Sequence, residues 1–479
     1  MAQKAILLPR PRLLDDGQLE RIREAAVAIL AQHGLRVLHE GAREEAQQAG
    51  LRVVGDRVQL ERGAIARFLD EERAAGQAGA PAAVPQETAS PAPRRFRVLS
   101  AQYATHVHDL DTDKVVPFTT ERLIEATKLI DALSEERVVG VAPGLPADVP
   151  NLLRPLMQYK IGAQYCRHGH QPIDARWEAP MAYVMEMAEA LGQPIRSLPV
   201  YVVSPLSIGA ESLACVMKHR RRLQSIQTGN MSSAGGSAPI RIGDAFALSV
   251  AETAGSAMVL RAITGLPVGW GVGVMAFDLR GMAMSFGGPE HQLFRWASEE
   301  VNAFFHGRPA RPVDEWSALT TQAKLPGPQA AAEKMAGAVT AALLGAADLE
   351  GGGTLSLDEV FSAEQLVFDC EVRDYVERLV AGIDGDCDPE AAVAEVADGL
   401  RGGFMTLDST LSTYRTVYWL PRLSERRSLA AWMGAGCPDE RRRAKERARE
   451  LVDRHEYALP AALSEELERI YQRAARELA

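Results

Sequence analysis

The sequence lacks the features that define several common functional classes. Its five cysteines are scattered, odd in number and never spaced as CxxC. This usage excludes a disulfide framework or a zinc knuckle and favours reduced, mostly buried thiols in a cytoplasmic protein. There is no excess of positive charge either, since 53 Lys and Arg residues stand against 63 Asp and Glu. Because binding to a phosphate backbone requires a basic face, nucleic acid is not expected as a partner.

Long apolar runs and nucleotide-binding motifs are missing too. No run approaches the roughly 20 apolar residues of a membrane span, and the N-terminal MAQKAILLPRPRLL has too short an apolar core for a secretory signal. No GxGxxG or GxxxxGKS/T motif follows a predicted strand, as nucleotide-binding folds require. With 47% apolar and 24% charged residues among 479, the composition is typical of a soluble globular protein.

From about residue 120 onward, short apolar runs alternate with helical segments. The predicted strands are VVGVAP, PIDARW, LPVYVVSP, SIQTGN, VGWGVGVMAF, PVDEWSALT and DLEGGGTL. The predicted helices include 180–191, 208–221, 245–263, 289–305 and 329–344. Alternating strands and helices indicate an α/β protein with a parallel sheet. Seven visible units, with an eighth that the pattern does not resolve, predict a (β/α)8 TIM barrel.

The barrel is expected to lie between an N-terminal α+β cap and a C-terminal helical extension. The cap combines a first helix, with Asp15 or Asp16 as N-cap and Gly34 as stop, with the hairpin LRVVGDRVQL around its Gly55-Asp56 turn. The tail carries the charged amphipathic run ERRRAKERARELVDR, expected to be solvated or to contact another subunit. The predicted boundaries are 1–75 for the cap, 76–95 for a Pro/Ala-rich linker, 96–436 for the barrel and 437–479 for the tail.

Two segments rich in small residues follow predicted strands, where barrel enzymes place their active sites. In TGNMSSAGGSAPIRIGD, glycine and alanine leave space and can expose backbone N–H groups. In VGWGVGVMAFDLRG, three glycines alternate with Trp270 and two valines, so one face of the strand is expected to be bare. Asp278 comes shortly after, where it can either contact a ligand or cap a turn. The first segment can equally be a tight turn with close helix packing.

Several blocks, in order, resemble the trimethylamine methyltransferase family of corrinoid-dependent enzymes. The opening LERIREAAVAILAQHGLRV and EEAQQAGLRVVGDRVQL are similar to that family's first helix and hairpin. SSAGGSAPIRIGDAFALSVAETAG resembles its small-residue loop and a helix that bears an inward glutamate, here Glu252. LPVGWGVGVMAFDLRG and the following GGPE resemble its aspartate-bearing strand, here with Asp278, and its GSPE turn. LTTQAKLPGPQAAAEK resembles a lysine and glutamine segment, giving Lys324 and Gln329.

The resemblance implies an enzyme that moves a methyl group from a methylated amine to the cobalt of a corrinoid carried by a separate protein. The sequence has no corrinoid-binding DxHxxG motif of its own. Family members that use trimethylamine carry pyrrolysine, and this sequence has none, which favours a quaternary amine such as a betaine. A quaternary ammonium is already a competent leaving group, so the enzyme mainly has to hold the methyl carbon in line with the cobalt nucleophile. A homo-oligomer is also expected.

The resemblance and the chemistry together nominate ten site residues. The candidate catalytic residues are Glu252, Asp278 and Lys324, and the candidate substrate-binding residues are Gly235, Gly236, Trp270, Phe277, Arg280, Gln329 and Arg415. Carboxylates and aromatic faces suit a cationic head. Lys324, Arg280, Arg415 or the N–H groups of the Gly235-Gly236 loop suit an anionic tail. Each of these residues has an alternative role as a salt bridge or cap at the barrel rim.

Three departures from the family pattern leave other functions open. Ser409 stands where the family has a late histidine, and Gln322 and Gly327 stand where many members have acidic residues. One alternative is therefore a barrel that binds a methylated amine without catalysis. Another is a metal-dependent enzyme, because His106 and His108 alternate on a predicted strand and RHGH adds His168 and His170. No HExxH motif supports the metal alternative, and no resident metal is expected.

Overall fold

A computed structural model describes residues 5–79, 89–90, 95–100, 102–168, 178–311 and 318–478. The helices are α1 (Asp16–His33), α2 (Glu40–Gln48), α3 (Arg62–Gly79), α4 (Thr120–Ala132), α5 (Arg154–Tyr165), α6 (Glu178–Ala190), α7 (Ala210–His219), α8 (Ile242–Thr264), α9 (Pro289–Phe305), α10 (Pro328–Leu343), α11 (Ala363–Val380), α12 (Pro389–Gly402), α13 (Asp408–Val417), α14 (Leu429–Gly434), α15 (Glu440–Asp453) and α16 (Ala461–Leu478).

The strands are mostly short. They are β1 (Ala5–Ile6), β2 (Leu35–Val37), β3 (Arg52–Val54), β4 (Arg57–Gln59), β5 (Ala89–Ser90), β6 (Arg97–Ser100), β7 (His106–Asp109), β8 (Lys114–Pro117), β9 (Val138–Val139), β10 (Ser197–Val203), β11 (Ser207–Ile208), β12 (Ser225–Gly229), β13 (Ser232–Ser233), β14 (Val268–Gly271), β15 (Val274–Asp278), β16 (Ala283–Ser285), β17 (Asp348–Gly352), β18 (Thr354–Leu355) and β19 (Val360–Phe361).

Six strands form two parallel groups of three. The first runs β14-β12-β10 and the second β17-β6-β9. Each group packs its outer face on its own large apolar cluster of helix and strand residues. The predicted strand PIDARW and the first six residues of PVDEWSALT lie outside the described residues. The described part is therefore a mixed α/β structure with two parallel groups of three strands, the first of them within a seven-stranded sheet that also contains β11, β2, β4 and β3. Closure into an eight-stranded barrel remains a prediction.

The N-terminal segment packs directly on the strands that follow it. Asp15 caps α1 through a capping box with Gln18, and the predicted hairpin forms as β3 and β4. Strand β2 pairs in parallel with β11, while α1 crosses α8 so closely that a Cβ on Gly255 would lie 2.9 Å from Leu30 Cδ1. The segment thus shares one apolar core with the first strand group. Helix α3 continues to Gly79, into the range predicted as a linker.

The charged C-terminal run also packs on the body of the protein. Helix α15 buries Ala444, Ala448 and Leu451 in the apolar cluster that includes residues of α4 and α11. Its basic side chains pair with carboxylates elsewhere: Arg441 Nε lies 2.6 Å from Glu364 and Arg447 Nη2 lies 2.9 Å from Glu136. The helix is amphipathic, as the sequence predicts: its alanine stripe allows close approach to the body, and its charged face, expected to be solvated or to contact another subunit, also pairs with carboxylates of the same chain at its edges.

Helix α8 is the most apolar element among the described residues. Its 23 residues are long and apolar enough to cross a membrane by length and composition alone, but 83% of its most apolar window is buried inside the protein. A core helix of a soluble protein passes the same test. The burial of α8 accounts for its composition, because a helix surrounded on all sides has no polar face.

Residues 383–436, here called the arm, contrast with the rest of the chain. The arm contains α12, α13 and α14, and of the residues in these three helices only Gly399 is buried. It joins the body at α11, where Arg378 Nε donates to the Val417 carbonyl at 2.7 Å. The backbone N–H groups of Leu423 and Ser424 donate to the Glu371 carboxylate beside this junction. The arm is anchored at its base and exposed along its length.

Candidate functional site

The inner face of the first strand group carries an open layer at its C-terminal end. Leu198, Val200 and Val202 of β10 are buried on the helix side, so the alternating residues face the other way. Of these, Tyr201 is 41% exposed. Tyr201 is in register with Gly229 of β12, and Gly229 is in register with Gly271 of β14. An aromatic ring thus stands beside two residues that have no side chain.

Packing does not require glycine at either position of this layer. A Cβ on Gly229 would find its nearest neighbour, Gly271 O, at 3.9 Å, and one on Gly271 would lie 3.7 Å from Asn302 Oδ1. Both are ordinary contact distances. One layer below, a Cβ on Gly269 would lie 2.3 Å from Gln227 Oε1, so the Gln227 side chain fills that level. The bare face expected from VGWGVG is therefore open at Gly271 and occupied at Gly269.

Glu252 of α8 ties the strand ends around this layer together. Its side chain is fully buried, and its Oε1 accepts the backbone N–H of Leu206 at 2.9 Å. Its Oε2 accepts hydrogen bonds from Ser204 Oγ at 2.9 Å, Asn230 Nδ2 at 2.6 Å and Ser232 Oγ at 2.8 Å. These four donors follow β10 and β12. The carboxylate predicted as catalytic thus lies inside the protein, at the strand ends, with four hydrogen bonds.

Asn230 extends this network to the third strand. Its Oδ1 accepts hydrogen bonds from Ser249 Oγ at 2.8 Å and from the Gly273 N–H at 3.2 Å. A Cβ on Gly273 would lie 2.9 Å from the Asn230 carbonyl oxygen, so this glycine is required by close backbone approach. One amide side chain therefore connects the turns after β12 and β14. Neither Asn230 nor Ser249 is among the sequence-predicted site residues, although Asn230 is the last residue of the predicted strand SIQTGN.

The small-residue loop lies on Phe277. A Cβ on Gly236 would lie 3.3 Å from the Phe277 ring, so the structure brings these two predicted substrate-binding residues together. Gly235 adopts φ = +88°, a conformation that favours glycine. Its N–H donates to Ala238 O, and the Gly236 N–H donates to Ser233 O, both at 2.9 Å. The N–H groups nominated for an anionic tail are thus used within the loop.

Asp278 and Arg280 pair with each other at the end of β15. The Asp278 carboxylate accepts hydrogen bonds from the backbone N–H of Arg280 at 2.8 Å and from its Nη2 at 3.0 Å. These hydrogen bonds lower the pKa of Asp278 to about 2. Asp278 therefore stays ionised at neutral pH. The Arg280 side chain is 92% exposed, so the pair stands at the protein surface with its charges largely balanced.

Trp270 does not lie where the sequence analysis expected it. The ring packs on the helix layer, with its centroid 6.2 Å from those of Phe68 and Phe305 and 4.4 Å from that of His306. Its Nε1 donates to Glu72 Oε2 at 2.9 Å. Alternation along the strand left two possible faces, and the choice of Trp270 as a pocket wall was wrong because α3 and α9 cover its side. Tyr201 has the exposed position instead.

The lysine and glutamine segment forms a second polar cluster. Glu333 Oε2 accepts from Thr321 Oγ1 at 2.5 Å, and its Oε1 accepts from Gln329 Nε2 at 2.9 Å. The same carboxylate lies against the glycine turn, since a Cβ on Gly287 would lie 2.8 Å from Glu333 Oε2. Lys324 Nζ donates to Ser356 Oγ at 2.7 Å. Gln329 is thus linked to the GGPE turn through Glu333, whereas Lys324 pairs with Ser356.

Arg415 and Ser409 lie on the exposed helix α13 of the arm. Within the described residues Arg415 forms no hydrogen bond or ion pair, and Ser409 Oγ donates to the Glu395 carboxylate of α12. The resemblance placed both residues at the site. In a single chain the structure gives them no contact with Glu252, Asp278 or Lys324, because the arm attaches to α11 instead.

Among the described histidines of the metal alternative, His108 lies beside two carboxylates. His108 is buried, and its side chain lies close to Asp113 and Glu364, with ligand atoms within 4.8 Å of one another. Lys445 Nζ already lies 2.7 Å from Asp113, and Arg441 Nε lies 2.6 Å from Glu364. His106 and His168 are exposed, and His170 lies outside the described residues. Two basic side chains thus already neutralise these carboxylates, which weighs against a metal ion there.

Comparison with known proteins agrees with the family resemblance of the sequence motifs. Residues 4–479 match the family model described as Trimethylamine methyltransferase (MTTB). The chain is 29% identical over 270 residues to the trimethylamine methyltransferase MttB1 of Methanosarcina mazei, covering 56% of this chain and 53% of the relative. It therefore spans about half the length of such relatives. It is 25% identical over 475 residues to a glycine betaine methyltransferase of Desulfitobacterium hafniense, covering 96% of each chain.

One solved structure is similar at a lower level. The monomethylamine methyltransferase MtmB of Methanosarcina barkeri aligns over 92% of this chain and 87% of that chain, with 11% identity and a TM-score of 0.44.

Proposed function

Because this chain belongs to the trimethylamine methyltransferase family, we propose that it transfers a methyl group from a quaternary amine such as a betaine to the cobalt of a corrinoid on a separate protein. The near full-length similarity to a glycine betaine methyltransferase supports the quaternary substrate class. The open layer of Tyr201, Gly229 and Gly271 carries the proposal at the level of the site, because it offers an aromatic face and unfilled space together.

This layer has the chemistry that a methylated ammonium needs. Such a cation is large, carries no N–H donor and cannot form a hydrogen bond, so it is held by aromatic faces and by space of the right size. Tyr201 supplies the face, while Gly229 and Gly271 supply the space. The Glu252 carboxylate is buried next to the strand ends and adds negative charge without leaving its four hydrogen bonds. We assign Glu252 to electrostatic support and to holding the loops in place.

The reaction places few chemical demands on this chain. The reduced corrinoid supplies a strong nucleophile, and the nitrogen of the quaternary amine leaves as a neutral tertiary amine with the electron pair of the broken N–C bond. No proton has to move. The residues of this chain therefore have to orient the substrate so that one methyl carbon points out of the layer. Lys324, exposed and hydrogen bonded to Ser356, and Arg280 are candidates for a carboxylate tail.

The surrounding fold in this proposal is a closed (β/α)8 barrel in a cytoplasmic protein. The two parallel groups contribute six strands, and the two predicted strands at 172–177 and from 312 would complete eight. Their place in chain order supports this: the first falls between β9 and β10, the second between β14 and β17. Open ends of parallel barrels bind substrates at the C-terminal strand ends, where the Tyr201 layer lies.

An absorbance screen tests the proposal. The chain is mixed under reducing conditions with cob(I)alamin, as free cofactor and on a corrinoid protein, and with a panel of betaines and trimethylamine. We expect the cobalt spectrum to change to that of methylcobalamin with at least one quaternary amine and not with trimethylamine. Failure with every quaternary amine on both forms of corrinoid would refute the proposal. Binding of a betaine without any spectral change would favour the alternative of a barrel that binds without catalysis.

A further inference from the structure

The backbone pairing of β12 with β14 is interrupted directly beside the Tyr201 layer. The last pair of this ladder is formed by Gly229 and Gly271, and pairing resumes between β13 and β15, where Ser232 lies opposite Val274. In this described part of the chain, two residues of each segment lie between the two pairs and belong to neither ladder. The layer is therefore at the edge of a gap in the sheet.

The Asn230 side chain crosses this gap. Its Oδ1 accepts the Gly273 N–H at 3.2 Å, and its Nδ2 donates to Glu252 Oε2 at 2.6 Å and to Ser232 Oγ at 2.7 Å. Ser249 Oγ of α8 donates to the same Oδ1 at 2.8 Å. Both amide hydrogens and both positions on the oxygen are thus in use. An amide suits this place because one end has to donate to a carboxylate while the other end has to accept.

We propose, on the basis of the function proposed above, that Asn230 is a positioning residue for the substrate. It fixes the spacing of Gly229 and Gly271, and with it the width of the space beside Tyr201 that admits the methylated ammonium. Asn230 directly follows Gly229, and its partner Gly273 lies two residues after Gly271. The last pair of a ladder has a neighbouring pair on one side only, and here neither member has a side chain that could pack. The amide beyond this pair therefore holds the distance.

The substitution Asn230→Asp makes this link depend on a proton. It places an oxygen where Nδ2 now donates to Glu252, which is the only titratable group among the hydrogen-bond partners of Asn230 in the described structure. Two carboxylates at this distance share a proton, because both cannot be ionised side by side. With the proton, the contact is a hydrogen bond and the spacing is kept. When the proton is lost at higher pH, the two carboxylates repel each other and the link opens.

The expected direction separates spacing from charge. A second carboxylate near the layer would attract a cation, so charge alone predicts that the variant binds a betaine more tightly as the pH rises. Loss of the spacing predicts weaker binding. The substrate itself does not change over this range, since its carboxylate stays ionised and its quaternary nitrogen has no proton to lose.

Calorimetric titration with glycine betaine at about pH 5.5 and pH 8.5 tests the proposal on wild type, Asn230→Asp, Asn230→Ala and Gln365→Glu. Gln365 is the matched control, because its buried amide donates to the Asp369 carboxylate at 2.9 Å in the second strand group. Gln365→Glu thus creates the same kind of carboxylate pair away from the Tyr201 layer. Circular dichroism at both pH values shows whether each variant is folded.

Wild type and Gln365→Glu should each bind betaine equally at both pH values. Asn230→Asp should bind like wild type at the lower pH and about tenfold or more weakly at the higher one, because the layer is no longer held in place. Asn230→Ala should bind weakly at both. Affinity of Asn230→Asp that stays constant or rises with pH, or an equal loss in Gln365→Glu, would overturn the proposal.

Two further outcomes are also decisive. If Asn230→Asp does not fold at the higher pH, wild-type affinity in Asn230→Ala would overturn the positioning role, and weakened affinity would support it. A wild type that binds no quaternary amine would refute the proposed function together with this role. A wild type that binds betaine, with an Asn230→Asp variant that shows no weakening, would refute the positioning role alone.

Discussion

At the scale of single residues, the buried Glu252 decides how the strand ends are held. Its four donors come from two different loops. One buried carboxylate therefore accepts the hydrogen bonds that these donors would otherwise make to water. A buried polar group left without a partner costs about 1–3 kcal/mol, and more if it is charged.

Glu252→Gln is expected to lower the free energy of unfolding by about 2–4 kcal/mol, because the new NH2 group would face either the Leu206 N–H or the Asn230 NH2 group, and both of these can only donate. It should also abolish methyl transfer. Urea unfolding followed by circular dichroism measures the first effect, and the cobalt absorbance assay measures the second. Asp278→Asn is the control, since its partner Arg280 is 92% exposed and surface pairs contribute about 0–1 kcal/mol. An unfolding free energy that is the same for Glu252→Gln and wild type would contradict this account.

His291 is predicted to make stability depend on pH. The side chain is 2% exposed, and burial, with a smaller contribution from Arg295, lowers the pKa of His291 to about 4. Its Nδ1 accepts the Gly287 N–H at 3.3 Å, which requires the neutral ring. In the unfolded chain the ring takes up a proton near pH 6.5. Between these pH values the unfolded state binds more protons, so stability falls as the pH falls.

The wild type should consequently lose about 1–3 kcal/mol more than His291→Gln between pH 7 and pH 4.5. Urea unfolding at a series of pH values measures the difference, and comparing the two proteins removes the contributions of the other titrating groups. Parallel stability curves for the two proteins would show that His291 does not carry this dependence.

At the scale of elements, a second buried carboxylate holds the end of β17. Asp369 of α11 accepts hydrogen bonds from Lys334 Nζ at 2.8 Å and from the Gly353 N–H at 2.7 Å. Lys334 also donates to the Gly351 carbonyl at 3.0 Å. Burial raises the pKa of Asp369 and lowers that of Lys334. Each strand group thus has one helix whose carboxylate fixes a glycine-containing strand end.

Lys334→Met leaves the Asp369 carboxylate buried without its cation, and we expect a loss of about 3–5 kcal/mol in unfolding free energy. In the double variant Lys334→Met/Asp369→Leu neither charge remains, so much of the loss should be recovered. Chemical denaturation of wild type, of Lys334→Met and Asp369→Leu singly, and of the double variant gives the comparison. If the double variant were as unstable as the sum of both single losses, the pair would not act as a unit.

Several elements could be predicted because local signals were strong. Helix α9 begins and ends at the predicted residues, since Pro289 starts it and the apolar pattern runs to Phe305. By contrast, VGWGVGVMAF was predicted as one strand and forms two, β14 and β15. The break depends on contacts from distant residues: the Val272 N–H donates to Asn302 Oδ1 at 2.8 Å, and Asn230 approaches Gly273. No local pattern contains that information.

The site was predictable only in part for a similar reason. Small residues at the strand ends indicated open space. The segment LPVYVVSP also contained a signal for Tyr201, because this residue alternates with Val200 and Val202, which are buried on the other face of the strand. Alternation does not say which face of a strand is inside, so Trp270 was nominated as a pocket wall and Tyr201 was not nominated at all. The arm lay within the range predicted as barrel, since helical periodicity does not reveal whether another element covers a helix.

At the scale of the whole molecule, the chain combines an interior held by buried hydrogen bonds with an exposed arm. The family match covers residues 4–479 and so includes both of them. Glu252 and Asp369 fix strand ends in the first and second strand groups respectively, and the Tyr201 layer is open at the strand ends of the first group. The central claim is that this layer recognises a methylated cation by its charge and its size.

Calorimetric titration tests that claim most directly. Glycine betaine is compared with 3,3-dimethylbutanoate, which has the same shape with carbon in place of the cationic nitrogen, on wild type and on Gly229→Val. The account predicts that betaine binds the wild type about tenfold or more tightly than the neutral-headed analogue, and that Gly229→Val, folded and as stable as wild type, loses betaine binding because the valine fills the space beside Tyr201. Equal affinity for both compounds, or betaine binding that Gly229→Val leaves unchanged, would contradict it.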